Sequence, residues 1–236
     1  MGIAMTRRSL RAAVLVCAAI ALAPDARAQD AMIGDVKIAL PVPAGYCQML
    51  EAEPSDARML GTIRKLLAGH NLLLAAYSDC GQLKEWRERK RDLIDDFSQA
   101  QTLESLKDKI TPMTPEAAEQ AICKEMSANG ARYATGAKGD LEGRLAQLSK
   151  ALKINETRFL GVIGEEPRVC YGAMLQKMHT QAGTDKVIVS AFGTSLIKGK
   201  IVYHYIFAND GGPGTVERLA AKEKAAMAAI LAANGP

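Results

Sequence analysis

Apolar and polar positions alternate most regularly across residues 155–207. Four runs there, 157–162, 169–178, 187–192 and 200–207, are separated by turn residues at Gly164/Pro167, Gly183 and Gly199. This spacing predicts an antiparallel meander of three to four strands. In the last run Ile201, Tyr203, Tyr205 and Phe207 share one face and Val202, His204, Ile206 and Ala208 the other, so a strand covered on both sides is expected. Turning about Gly199 sets His204 opposite Thr194, and turning about Gly183 sets His179 opposite Val187. Upstream, Val36, Ile38 and Leu40 alternate in a first strand, 35–41, which the Pro41-Val42-Pro43-Ala44-Gly45 turn ends.

Helical spacing follows. Met59, Leu60, Ile63, Leu66 and Leu67 make a stripe between a capping Ser55 and a stop at Gly69. Residues 72–77 read as a buried strand, and 92–103 suit either helix or strand. Thr114-Pro115-Glu116 starts a helix that Asn129-Gly130 is expected to end, and Gly130, Gly136 and Gly139 then mark a connection. Leu141, Leu145, Leu148 and Leu152 form the stripe of the next helix, so 114–152 reads as a helical insertion. A long terminal helix, 215–234, carries Val216, Leu219, Ala220, Met227, Ile230 and Leu231 broadly on one side, with Thr215 as its cap. The fold class is therefore α+β: an antiparallel sheet flanked by helices, with a long helix at the C-terminus.

The first residues change the compartment. Arg7, Arg8 and Arg11 precede an uncharged apolar run, 12–23, and Ala26-Arg27-Ala28 makes a small-x-small cleavage site before Gln29. Residues 1–28 read as a secretory signal peptide, whose apolar run is too short to span a bilayer. Cleavage removes Arg7, Arg8, Arg11, Arg27 and Asp25, so the net charge falls from +4 to +1. A nearly neutral mature chain lacks the overall basic field that collects nucleic acid. No linker or repeat divides residues 29–236, which read as one domain without a transmembrane segment and are expected to be periplasmic or secreted.

Export also decides how the cysteines are read. Cys47, Cys80, Cys123 and Cys170 remain after cleavage, an even number that favours two disulfides in an oxidising compartment. Three connectivities are open; joining Cys47 to Cys80 and Cys123 to Cys170 ties neighbouring elements and is favoured. The spacing matches no zinc pattern, and neither a phosphate loop nor a dinucleotide fingerprint occurs, so no metal or cofactor is expected.

Two clusters are candidates for chemistry. Lys84, Trp86, Arg87, Arg89 and Lys90 lie in a charge-dense helix with Glu85 and Glu88, where basic groups beside an aromatic suit an anionic envelope component; a mixed-sign helix face with Trp86 turned inward is the simpler reading. A hydrolase-like site assembled from dispersed residues would draw on His204, Ser190 and Tyr203, but no Gly-x-Ser-x-Gly elbow is present and no catalytic residue is assigned.

The first strand running into Leu40-Pro41-Val42-Pro43-Ala44-Gly45-Tyr46, the late meander with Thr194-Ser195-Leu196-Ile197-Lys198-Gly199-Lys200 and the long terminal helix together resemble the PsbP-like fold. The resemblance spans residues 36–234 on strand and turn patterns. It implies an antiparallel sheet flanked by helices and a binding or accessory role, and it transfers no functional residue. The expectation is an exported binding or accessory protein with a protein partner in the cell envelope.

Overall fold

Two consecutive left-handed residues decide the register of the central strands. Lys198 (φ 50°) and Gly199 (φ 78°) make a two-residue hairpin turn whose twist matches its strands. Ile197 therefore pairs with Lys200, and Gly193 rather than Thr194 lies opposite His204, a one-residue correction to the register expected from a turn about Gly199 alone. A Cβ on Gly199 would come within 2.8 Å of Ile110, so this turn also receives the chain segment crossing above it.

The computed structural model describes residues 29–148, 152–180 and 185–235; the expected export signal and Gly183 lie outside them. A small hairpin, β1 (Gln29–Ile33) and β2 (Val36–Leu40), precedes β3 (Tyr46–Gln48), α1 (Pro54–Leu67), β4 (Asn71–Asp79) and α2 (Cys80–Arg87). β5 (Phe97–Leu103) leads to α3 (Pro115–Leu148), then to β6 (Leu152–Glu166), β7 (Val169–Thr180), β8 (Asp185–Ile197), β9 (Lys200–Asn209) and α4 (Thr215–Asn234). Seven strands form one antiparallel sheet in the order β3-β4-β5-β9-β8-β7-β6, in which β6 to β9 are the meander and β9 closes back onto β5. The chain is α+β.

The two sheet faces carry different loads. On one, Val202, Ile206, Val189, Ala191, Tyr171 and Tyr77 meet Leu219, Met227 and Ile230 of α4 and Ile33, Ile38 and Leu40 of the small hairpin. Each large apolar side chain buried there stabilises the fold by about 1.5–3 kcal/mol. Asn234 pins the far end of α4 to β2, donating to the Ala39 carbonyl at 2.8 Å and accepting from the Ala39 amide at 2.9 Å. On the other face α1 and α2 pack over β4 in a second cluster of Met49, Leu60, Ile63, Ala76 and Leu83, while α3 lies over β6, β7 and β8.

Several boundaries differ from the sequence expectation for identifiable reasons. A strand, β1, precedes the first expected one and turns at Gly34 (φ 60°). α1 begins at Pro54 with Glu53 as N-cap and no side-chain cap, because Pro supplies the first-turn geometry that Ser55 was expected to start. Residues 92–96 are irregular and β5 begins at Phe97. α3 does not stop at Gly130 but runs on through Gly136, Gly139 and Gly143, and Leu152 belongs to β6 rather than to a second helical stripe. Thr114 does cap α3, accepting from the Ala117 amide at 3.2 Å. Gly130 is in the helix because the helix touches β6 there: a Cβ would lie 2.3 Å from the Phe159 ring. Thr215 sits one residue inside α4, where its hydroxyl accepts from the Gly211 amide and donates to the Gly212 carbonyl.

Two disulfides staple these layers: Cys47–Cys80 joins β3 to the start of α2, and Cys123–Cys170 joins α3 to β7. The second closes a loop of sequence separation 47 that contains most of α3 and all of β6. Replacing Cys123 and Cys170 together by Ala should lower unfolding stability by about 2–4 kcal/mol in urea titration, whereas an unchanged midpoint would mean that the bridge contributes nothing.

Candidate functional site: the two faces of the central strands

His204 sits mid-strand between Val202 and Ile206, so β-alternation sends it into the core under α4. Its Nδ1 lies 2.8 Å from Glu223 Oε2 on α4, and its Nε2 lies 2.9 Å from the Ser98 hydroxyl on β5. With Nδ1 donating to the carboxylate, Nε2 of a neutral ring accepts from Ser98, which is the connectivity of a hydroxyl–base–acid relay. The exposures are 0% for Ser98, 1% for His204 and 0% for Glu223, so no substrate reaches the hydroxyl while α4 is seated. In this arrangement the three residues form a buried polar pin. The helix comes unusually close here: a Cβ on Gly193 would lie 2.6 Å from Met227 and 3.0 Å from Glu223 Oε1.

The residues expected for a dispersed hydrolase site are separated by the sheet itself. Ser190 pairs with Phe207 and shares its face with Tyr203, whereas His204 points to the other side. Ser98 and Glu223 are the groups that sequence reading missed. Glu223 had a legible signal: it stands in the buried stripe of α4 between Leu219 and Met227, where a carboxylate requires a partner. His179 pairs with Asp185 rather than Val187, at 2.7 Å and largely exposed, far along β8 from the strand position facing His204.

The opposite face of β5 and β9 holds a different arrangement. Phe97 stacks on Phe207 at 4.5 Å between centroids, Phe207 on Tyr205 at 5.7 Å and Tyr205 on Tyr203 at 6.4 Å, with Phe192 flanking Tyr205 at 5.3 Å. Phe97, Tyr203, Tyr205 and Phe207 are only half-buried, because the helices of this face pack on β4 and on β6 to β8. Beside the rings runs a chain of amides: Asn71 donates to Gln101 at 2.8 Å, and Gln101 donates to Gln99 at 2.8 Å. Thr194, opposite Tyr203, is fully buried, and its hydroxyl has no hydrogen-bond partner among the described residues. Burial pushes the Tyr203 phenol up to about 12 and raises Tyr205 as well, so both remain protonated donors at ordinary pH. The strip thus presents partly buried aromatic rings and uncharged phenol hydroxyls, while Gln99, Gln101 and Thr194 beside them are buried. Beyond Asn71 it meets a cavity of about 270 Å³ lined by Arg64, Ala68, Gly69, Leu72, Leu73 and Glu104.

The basic cluster is largely paired. Arg87 is bound to the fully buried Asp56 at 2.6 Å, and hydrogen bonding to that carboxylate raises its pKa further. Lys90 pairs with Glu88 at 2.7 Å and Arg91 with Glu85 at 2.9 Å, while Lys84 and Arg89 are exposed. Trp86 packs on the cluster beneath α1 and α2, and its indole N–H is buried without a partner among the described residues. Glu119, Cys123 and Glu165 lie within metal-ligand spacing, but the Cys123 sulfur is bonded to Cys170 and offers no thiolate. Burial and the neighbouring Glu165 raise the Glu119 pKa.

No family model matches the chain, and no curated protein matches it. No described helix is long and apolar enough to cross a membrane.

The pin makes its own prediction. His204→Ala or Glu223→Ala alone should cost about 3–5 kcal/mol in urea unfolding, because each leaves its partner buried and unpaired, and His204→Leu with Glu223→Leu should recover most of that loss. A fluorophosphonate probe should leave Ser98 unlabelled in the folded protein; stoichiometric labelling would assign the relay to catalysis instead.

Proposed function

We propose that this chain is an exported, non-catalytic binding or accessory protein of the bacterial periplasm, and that its site is the strip of Phe97, Phe207, Tyr205 and Tyr203 with the amides of Gln99 and Gln101. The observation that carries the reading is that four stacked aromatic side chains on β5 and β9 are only partly buried, while Gln99, Gln101 and Thr194 around them are buried. Burying such rings is strongly favourable, and leaving them open is a standing cost that a ligand would offset.

The chemistry of the strip specifies an uncharged ligand with an apolar body and at least one hydrogen-bond acceptor for the tyrosine hydroxyls. A charged group would be desolvated there without a counter-ion. The catalytic alternative is weaker, since the relay around His204 is sealed, and the basic segment is weaker as an anion site, since Arg87 and Lys90 are already paired. The two disulfides support folding in an oxidising compartment. The PsbP-like resemblance is part of the same proposal, supported by the order of the late strands and terminal helix. So is a protein partner in the envelope, to which a bound ligand would be presented.

Native mass spectrometry of the mature protein, isolated from its own envelope fraction without organic solvent, should show a co-purifying neutral small molecule and an N-terminus at Gln29. Tyr205→Ala should lower its occupancy at least tenfold while lowering the unfolding free energy in urea by only about 1.5–3 kcal/mol, as expected for truncating a mostly buried ring. Equal occupancy in the variant would place the ligand elsewhere.

A further inference from the structure

The two disulfides sit in unlike settings. Cys123 is 3% exposed and Cys170 is fully buried, so exchange at that bridge requires α3 to leave β7. Cys47 and Cys80 are both partly exposed. Cys47 lies on β3, the three-residue strand at one end of the sheet, and leans on the cluster beneath α1 and α2. Cys80 opens α2, where Asp79 caps the helix by accepting from the Gln82 amide at 3.0 Å. A sulfur in the first turn stands at the positive end of the helix, which favours a thiolate there. The exposed Lys84 follows one turn along the same face. Of the two sulfurs, Cys80 is therefore the better leaving group.

At β3 the disulfide is one tie among several. The strand pairs with β4 through Tyr46–Asp79, Cys47–Ser78 and Gln48–Tyr77, and the Cys80 amide donates to the Gly45 carbonyl at 3.3 Å. The Met49 amide donates to the Ala76 carbonyl at 3.0 Å. Arg87 donates to the Gln48 carbonyl at 3.3 Å while it holds the buried Asp56, and the Tyr46 hydroxyl donates to Asp96. These contacts keep β3 and α2 in place when the sulfurs part.

We infer that Cys47–Cys80 is a thiol-exchange site whose substrate is a dithiol. One thiolate of the dithiol attacks the Cys47 sulfur, the Cys47–Cys80 bond breaks, and its electron pair leaves on Cys80. The second thiolate attacks the mixed disulfide at the dithiol's own sulfur and releases Cys47. The dithiol departs oxidised, and the two protons it gave up end on Cys47 and Cys80. Nothing in this chemistry depends on the aromatic strip, so it adds a covalent redox contact to the binding role.

The test treats oxidised residues 29–236 with dithiothreitol under native conditions, quenches with N-ethylmaleimide at intervals and maps the labelled peptides by mass spectrometry. Cys47 and Cys80 should be alkylated together, on the order of tenfold faster than Cys123 and Cys170 or more. Protein reduced only at the first pair should keep a cooperative urea transition. With glutathione in place of dithiothreitol, the mixed disulfide should be trapped on Cys47 and the maleimide on Cys80. Reduction of both bridges at one rate, or of Cys123–Cys170 first, overturns the site. Glutathione on Cys80 with maleimide on Cys47 overturns the assigned attack and leaving group. Loss of the cooperative transition on reducing the first pair also overturns the proposal, because the bridge is then a structural tie.

Discussion

The seating of α4 on β8 and β9 is the constraint on which the rest of the molecule depends. A carboxylate with no exposure, Glu223, is tolerable only because His204 meets it at 2.8 Å, and His204 in turn is satisfied by Ser98 on the neighbouring strand. The three residues come from β5, β9 and α4, so the contact joins the meander to the earlier half of the sheet and to the helix above both. Gly193 permits it, because any side chain there would collide with Met227. Once α4 is locked to this face, parity along β9 leaves Tyr203, Tyr205 and Phe207 for the other face, where the helices pack mainly on β4 and on β6 to β8 and the rings stay partly buried.

Geometry that looks catalytic is thus put to structural use, and chemistry that looks structural is left accessible. A hydroxyl–imidazole–carboxylate chain has the distances of a nucleophile relay, yet a relay acts only on what can reach it. The aromatic ladder resembles an ordinary cross-strand core, yet its rings are only partly buried. Exposure, rather than residue type, separates the two roles.

The sequence made the alternating faces of β9, the cap at Thr114 and the span of α4 legible, because each rests on local periodicity or a local cap. The pairing of Cys123 with Cys170 came from the tie it makes between neighbouring elements. The course of α3 was not legible: glycine is read as a helix stop, and only the contact of Gly130 with Phe159, 29 residues later in the chain, shows why it is retained inside one. The His204 register was missed by one residue because Lys198 adopts a positive φ that its side chain does not advertise. Ser98 was invisible for a similar reason: β5 and β9 are adjacent only through a non-local pairing, which no window along the chain contains. The central strip escaped notice because its residues look like buried core until the helices are placed.

Side-chain NMR of residues 29–236 titrated with neutral apolar compounds reads directly whether the face of β5 and β9 opposite α4 receives a ligand. Perturbations should concentrate on Tyr203, Tyr205, Phe207, Phe97 and the Gln99 and Gln101 amides, while Met227 and Ile230 beneath α4 stay unmoved. Shifts confined to the α4 face, or centred on Lys84 and Arg89, would contradict it.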